Sequence, residues 1–152
     1  MIKNDDIVDS LNELVEILND RIRGYETALE DNKDPQLDQT FRQMIIQTQK
    51  LRSELAEHIV RLDGTAVTDA THTDFSSKIH RAWINIKAAV TGKDRAAILS
   101  SCEFGDNAAV EAYEDAVKED KLPAYVKDTL RTQLDELRQA RNQIKSLHEA
   151  AS

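Results

Sequence analysis

The sequence predicts an all-α fold, a bundle of four long helices, from its composition and from the spacing of its apolar residues. The 152 residues include only 4 glycines and 2 prolines, aromatic residues make up 5%, and 32% are charged. Few helix breakers and few aromatic strand formers favour helices over sheets. Apolar residues recur at steps of three and four in four stretches, the period of a buried helix face. Because the length suits one domain, we expect residues 1–152 to form a single domain.

The first two long helices are predicted from Asn4 to about Asp31 and from Asp34 to Gly64. Asn4 or Asp5 is a suitable N-cap for the first helix, and Asp34 is an N-cap acid followed by Pro35 at the first helical position of the second. The apolar stripe of the first helix consists of Ile7, Leu11, Leu14, Leu18, Ile22, Tyr25 and Leu29. That of the second consists of Leu37, Phe41, Met44, Thr48, Leu51, Leu55, His58 and Leu62. Such regular spacing is typical of helices packed against antiparallel neighbours.

The second half of the chain predicts a loop, a short helix and two more long helices. Small polar residues from Gly64 to Thr73 indicate the loop. The short helix carries Phe75, Ile79, Trp83, Ile86 and Val90 and ends at Thr91-Gly92. Asp94 caps the third long helix, which continues to about Asp120, and Leu122-Pro123 turns the chain into the fourth. The fourth helix buries Val126, Leu130, Leu134, Leu137, Ile144 and Leu147.

The connections between the long helices predict their directions. Each long helix has about 27 residues, or roughly 40 Å at 1.5 Å per residue, so the four match in length. Short connections make the first and second helices antiparallel, and likewise the third and fourth. Roughly thirty residues separate the second from the third, enough for a crossover along the whole bundle. The sequence therefore predicts the connectivity of ferritin-like bundles, with the short fifth helix lying on the crossover.

Charge and cysteine content exclude several classes of partner and compartment. The net charge of −8 disfavours nucleic acids and anionic membranes, because Lys and Arg must supply the attraction to phosphate. No apolar run approaches the roughly 20 residues needed to span a bilayer, so we expect no membrane insertion. One cysteine cannot form an internal disulfide, and Met1 to Ser10 is too acidic for a secretory signal. We expect a cytoplasmic protein.

Several short motifs carry a resemblance to a known family. They are Asp20-Arg-Ile-Arg-Gly24-Tyr25, His80-Arg81-Ala82-Trp83, and Cys102-Glu103-x-x-Asp106 leading to Ala112-Tyr113. Together they resemble the bacterial ferritin-like four-helix-bundle family of unassigned function, a domain of unknown function, over nearly the whole chain. The resemblance implies a ferritin-like fold, a bacterial origin and a stress or stationary-phase context. It implies no established reaction.

A metal site is the alternative that the acidic residues leave open. A di-iron bundle needs a Glu from each of two helices and a Glu-x-x-His motif from each of the others. The sequence contains no Glu-x-x-His, and its nearest approach is Glu54 with His58, one turn apart. We interpret His58 as a hydrogen-bonded core or end-of-bundle histidine. We expect no cofactor, and iron or another divalent metal remains the alternative, with Asp20, Glu103, Asp106, Glu54 and His58 as its ligands.

The preferred interpretation is a buried polar network. Glu103 and Asp106 lie on an otherwise apolar line of the third helix, and buried acids need partners. Counted from the turn near Leu122, Glu103 lies level with Arg141 of the fourth helix, which predicts an ion pair. The predicted network consists of Asp20, Gln47, Glu103, Asp106, Gln133 and Arg141. The charge of Arg141 would then stand where a metal ion would otherwise be held.

Two interior glycines and one tryptophan carry further predictions. Gly24 and Gly105 each cost a helix about 1 kcal/mol relative to Ala, so we expect close helix approach at both, with room for a small ligand as the alternative. Trp83 on the crossover helix predicts a surface for homo-oligomer formation. We expect a non-catalytic, stress-associated or interaction protein, and the alternative is a metal-binding protein or oxidoreductase.

Overall fold

The computed structural model describes residues 4–30, 32–66, 82–83, 85–92 and 94–151, and these residues form five α-helices and no strand. The helices are α1 (Asn4–Leu29), α2 (Pro35–Arg61), α3 (Ile86–Thr91), α4 (Arg95–Ala116) and α5 (Ala124–Ala151). Four are long and α3 has 6 residues. The prediction of an all-α chain is confirmed. The predicted loop beyond Ala66, and Phe75, Ile79 and His80, lie outside the described residues, so the first part of the predicted short helix is not described.

The helix ends follow the local sequence signals. Asp34 caps α2 by accepting hydrogen bonds from the backbone N–H groups of Gln36 and Leu37, with Pro35 in the first turn. Asp94 caps α4 by accepting from the backbone N–H of Ala97, and α3 ends at Thr91 with Gly92 as its C-cap. These caps are the predicted ones, because short acidic side chains satisfy the first free N–H groups of a helix. The predicted C-terminal ends run past the observed ones, as α2 stops at Arg61 and α4 at Ala116.

Cross-helix contacts fix the direction of every long helix. The Arg52 guanidinium bonds Asn19, so α1 and α2 pack side by side, and their short connection makes them antiparallel. The same short-loop geometry joins α4 to α5, where Arg138 bonds Glu114 at 2.7 Å. Ser10 near the start of α1 bonds Glu119 just past the end of α4, whereas Arg21 further along α1 bonds Asp106 in the middle of α4, so these two helices are antiparallel as well. The two helices on each side of the crossover, α2 and α4, therefore run in the same direction.

The ring of helices is α1, α2, α5, α4, and all contribute to one apolar core. α2 buries Leu37, Phe41, Met44, Thr48, Leu51, Leu55 and Ile59. His58 and Leu62 are only partly buried, because Ile59 takes the core position at the end of the stripe. In the described part of the chain no helix is both long and apolar enough to cross a membrane.

Candidate functional site

Arg21 of α1 lies at the centre of the bundle and is the largest of the fully buried side chains. Its Nε donates to Oδ1 of Asp106 on α4 at 2.9 Å, and the two side chains are 0% and 1% exposed. The guanidinium carbon lies 5.2 Å from the ring centroid of Tyr25, one turn further along α1. A fixed positive charge is therefore held in the core against a carboxylate and an aromatic face.

Asp106 has both carboxylate oxygens occupied. Oδ1 accepts from Arg21, and Oδ2 accepts from the hydroxyl of Tyr25 at 2.6 Å. Burial, the largest single effect, disfavours the charged guanidinium, but Asp106 and Tyr25 together outweigh it and raise the pKa of Arg21. Burial, and next the negative charge of Asp106, raises the pKa of Tyr25 well above its ordinary value. Arg21 thus remains charged, and the phenol of Tyr25 stays a hydrogen-bond donor.

Residues of α2 satisfy the other side of the guanidinium. Nη1 of Arg21 donates to Oε1 of Gln47 at 3.2 Å and to Oγ1 of Thr48 at 2.5 Å, and Nη2 approaches Sδ of Met44 at 3.5 Å. The Thr48 hydroxyl in turn donates to the backbone carbonyl of Met44. Gln47 also reaches across to α5, where its Nε2 donates to the carbonyl of Glu136 at 3.4 Å. The Arg21 network therefore links α1, α2, α4 and α5.

A second polar layer lies one turn further along α2 and centres on Gln133, which is fully buried. Gln133 accepts from the hydroxyl of Tyr113 at 2.7 Å. Its Nε2 donates to the carbonyl of Leu51 at 3.1 Å and to Oε1 of Glu54 at 2.9 Å. Burial raises the pKa of Tyr113 far above its ordinary range. Gln133 is buried in this layer, and its hydrogen-bond partners Tyr113, Leu51 and Glu54 are not those of Arg21.

Trp83 fills the space that the two interior glycines leave open. A Cβ atom built at Gly24 on α1 or at Gly105 on α4 would overlap the indole ring. The ring also packs edge-on against Tyr25, with centroids 5.3 Å apart and an interplanar angle of 64°. The expected close approach of the helix backbones is therefore wrong for these glycines, because the group that approaches both of them is the side chain of Trp83. Trp83 is only 6% exposed, so it does not offer the oligomer surface expected of it.

The predicted pair of Glu103 with Arg141 does not form. Glu103 is partly exposed and its Oε1 lies 2.8 Å from Nδ1 of His148. Arg141 is partly exposed and bonds its neighbour Asn142 at 3.4 Å. The reason is that Ala140, 5% exposed, takes the inward position. Between Leu137 and Ile144, either Ala140 or Arg141 fits the helical period of the inward face. The small side chain of Ala140 fits the core.

Asp20 is buried but stands apart from the Arg21 network. Its Oδ1 pairs with the guanidinium of Arg23, three residues along the same helix. Of the predicted network residues, the structure brings only Gln47 and Asp106 together, and it joins them through Arg21. Glu103 and Asp106 do not share a partner, because Asp106 faces α1 whereas Glu103 faces the end of α5.

Glu54 and His58 line a groove between α2 and α5 of about 380 Å³, together with Glu57, Asp128, Thr129 and Thr132. Nε2 of His58 lies 2.8 Å from the hydroxyl of Thr129, and Glu54 accepts from Gln133. Partial burial, and next the charge of Arg61, lowers the pKa of His58. Across the described residues, no group of three or more His, Cys, Asp or Glu side chains is arranged to hold a metal ion.

Cys102 lies beside the network on α4 and is fully buried. Burial, and next the charge of Asp106, raises the pKa of its thiol well above the ordinary value. Because the thiolate is the nucleophile, this thiol is held in its unreactive form. Cys102 therefore behaves as a small buried apolar residue of the core.

Arg21 is not among the site residues predicted from the sequence, although the sequence carries a signal for it. Leu11, Leu14, Leu18, Arg21, Tyr25 and Ala28 alternate steps of three and four, and all are at most 3% exposed. The predicted stripe instead passed through Ile22, which is also buried, because an apolar residue was available one position away. A charged residue that completes an unbroken heptad line indicates a buried ion pair.

Comparison with known protein families gives one match. A family model described as a domain of unknown function (DUF2383) matches residues 6–119, a span that includes Arg21, Tyr25, Trp83 and Asp106. Gln133 and the rest of α5 lie beyond it. No curated protein matches the chain.

Proposed function

The chain belongs to this family of unknown function, and we propose that it is a non-catalytic ferritin-like bundle in which the Arg21 network replaces a di-metal centre. In this proposal the protein is a single-domain, bacterial, cytoplasmic component of a stress response that acts by interaction with other molecules. The observation that carries the proposal is the buried guanidinium of Arg21 against Asp106.

The chemistry of the network supports the Arg21 guanidinium as the cation that stands in place of a metal ion. A di-iron site needs several carboxylates and imidazoles converging on two metals. The groups converging here are one carboxylate, one phenol, one amide, one hydroxyl and one thioether around a guanidinium. Both oxygens of Asp106 accept a hydrogen bond, so a metal ion ligated there would compete with Arg21 and Tyr25 for the carboxylate and favour the displacement of one of them. Either displacement leaves a buried donor without its partner.

The directions of the helices support the ferritin-like part of the proposal. Neighbouring helices of the ring are antiparallel, and the chain between Arg61 and Arg95 connects two helices that run in parallel. Bundles with one long crossover have this arrangement. The net charge of −8 and the single, buried cysteine support a cytoplasmic protein without nucleic-acid partners.

The interaction part of the proposal is supported by large apolar side chains on the surface. Ile46 and Val60 of α2 are 66% and 65% exposed, Phe104 of α4 is 64% exposed and Tyr125 of α5 is 45% exposed. Aromatic residues are enriched in protein interfaces, so Phe104 and Tyr125 are suitable contact residues.

Metal analysis tests the proposal directly. Wild-type protein, Asp106→Asn and Arg21→Met are dialysed against Fe²⁺, Mn²⁺ or Zn²⁺ without chelator, and bound metal is measured by elemental analysis. Arg23→Met is the matched control, because Arg23 lies on the same helix with a side chain that is 46% exposed. We expect less than stoichiometric metal in the wild type and in the control. Removal of Arg21 frees a carboxylate oxygen and is the variant in which added metal would first appear.

If the protein is instead a metal-binding protein or oxidoreductase, the wild type should bind stoichiometric metal. Stoichiometric metal in the wild type that is lost in Asp106→Asn would replace our proposal with this alternative. Loss of metal in Glu103→Ala, with Asp106→Asn unchanged, would place a metal site near His148 and leave the Arg21 network structural.

A further inference from the structure

A groove of about 720 Å³ runs along the outer side of the α1/α2 pair. From α1 it is lined by Val15, Asn19, Ile22 and Glu26, at steps of four, three and four, so these residues share one face of the helix. Arg52 lines it from α2. Neither Arg21 nor any residue bonded to it lines this groove, so the groove is separate from the buried network. Its volume is within the range of sites that hold small organic molecules, roughly 300–1,000 Å³.

The floor of this α1/α2 groove is apolar. Val15 and Ile22 are 1% and 7% exposed, and Ala56 of α2 is partly buried. Ser53 and Ala56 keep the α2 side of the groove open, because their side chains are small. A ligand with an apolar body would cover this floor and remove apolar surface from water, which favours its binding.

Arg52 supplies a positive charge to the groove without an acidic partner among the described residues. Its Nη1 donates to Oδ1 of Asn19 at 2.7 Å, and this acceptor is a neutral amide. No residue three or four positions from Arg52 along α2 is acidic, although the chain has 28 acidic residues and 20 basic ones. The next two acids of α2, Glu54 and Glu57, line the groove toward α5 instead. The guanidinium of Arg52 therefore keeps donors for an anion.

The other charges of the groove lie on α1. Arg23 lines it as well, and its guanidinium pairs with Asp20. Among the described lining residues only Glu26 is acidic. Glu26 lies two turns beyond Asn19, or roughly 10 Å along the helix axis. The level of Arg52 and Asn19 is therefore the place where an anion meets a positive charge that no carboxylate of the groove already neutralises.

The apolar floor and this positive charge are neighbours. Because α1 and α2 are antiparallel, Val15 and Ala56 lie at the same end of the groove, one turn from the bond between Arg52 and Asn19. We propose that the α1/α2 groove binds a small organic carboxylate, with its carboxylate on Arg52 and its apolar body over Val15 and Ala56. A guanidinium matches the two oxygens of a carboxylate, which makes Arg52 the residue that selects this head group. This inference goes beyond the proposed function and does not rest on it.

Octanoate, a carboxylate with an apolar chain, tests the site on the wild-type protein. Titration calorimetry and amide chemical shifts measured by NMR follow its binding. We expect one octanoate per chain despite the net charge of −8, with the shifted amides confined to residues 15–26 and 49–56. Octan-1-ol has the same chain without the charge, so it should bind at least about tenfold more weakly. Binding that does not saturate, equal affinity for the two compounds, or shifts centred on Phe104 or Tyr125 would overturn the site.

Arg52→Gln removes the charge but keeps an amide able to bond Asn19, and it should weaken octanoate binding at least about tenfold. Arg61→Gln is the matched control, because Arg61 is exposed on the same helix, does not line the groove and changes the net charge equally. Ala56→Glu places a carboxylate at the apolar end and should also weaken binding, which provides the test if Arg52→Gln does not fold. Unchanged affinity in folded Arg52→Gln, or an equal loss in Arg61→Gln, would overturn the role of Arg52.

Discussion

Nε of Arg21 lies 2.9 Å from Oδ1 of Asp106, and this bond joins side chains 85 positions apart in the sequence. It connects the α1/α2 hairpin to the α4/α5 hairpin inside the core. Neither side chain reaches solvent, so each charge depends on the other. Removal of one charge should therefore destabilise the fold more than removal of both.

Asp106→Asn should lower the free energy of unfolding by about 3–5 kcal/mol, because it leaves the charge of Arg21 buried without its counter-charge. The double variant Arg21→Met/Asp106→Leu removes both charges and should recover most of that loss. Urea unfolding followed by circular dichroism measures all three proteins. The control is Glu114→Gln, whose partly exposed pair with Arg138 is screened by solvent and should matter far less. A double variant as unstable as Asp106→Asn would contradict this view of the pair.

The two buried tyrosines should not ionise in the folded protein at the pH where exposed phenols do. Burial raises the pKa of both Tyr25 and Tyr113, whereas an unfolded tyrosine ionises near pH 10, at about its ordinary value. A pKa that is higher in the folded state stabilises the fold below the unfolded pKa, so stability should fall as pH rises above about 10. Tyrosinate absorbance at high pH, in native buffer and in denaturant, measures the difference. Ionisation of all three phenols before unfolding would refute it.

Gly105→Ala should destabilise the protein by about 1–3 kcal/mol, because the added methyl overlaps the indole of Trp83 and overpacks the core. Gly92→Ala is the matched control. Gly92 caps α3 with φ −75°, and the nearest atom to an added Cβ is a backbone oxygen at 3.5 Å. Alanine is therefore accommodated there and should change stability little. Thermal unfolding compares the two variants. Equal losses of stability at both glycines would rule out overlap with Trp83 as the cause.

Acidification should destabilise the wild type more than His58→Gln. The pKa of His58 is lowered, first by burial and next by Arg61, while Glu57 and Glu54 oppose the shift. The unfolded state then binds the proton more tightly, so stability falls as the pH drops below about 6.5. Gln at position 58 keeps a group able to bond Thr129 but does not titrate. Urea midpoints between pH 7 and 5 measure both proteins, and parallel pH profiles would show that His58 does not contribute.

Much of the helix framework could be predicted because its signals are local. The Asp34-Pro35 and Asp94 starts and the Gly92 stop depend on residues within one turn of the helix end. The C-terminal ends of α2 and α4 were less accurate, since apolar periodicity continues past the last helical hydrogen bond. Only some of the site residues were predicted. Asp106 and Gln47 belong to the Arg21 network, whereas Glu103 and Arg141 lie outside it and have other partners.

The sequence by itself determined that this chain is helical, where most helices begin, and that a carboxylate of α4 would need a partner in the core. Only the tertiary structure decided that the partner is Arg21, that Ala140 excludes Arg141, and that one indole fills the space at two glycines. The physical reason is the period of the helix. Steps of three and four leave two neighbouring positions equally able to face inward, and the choice between them depends on the shape and charge of the opposing helices.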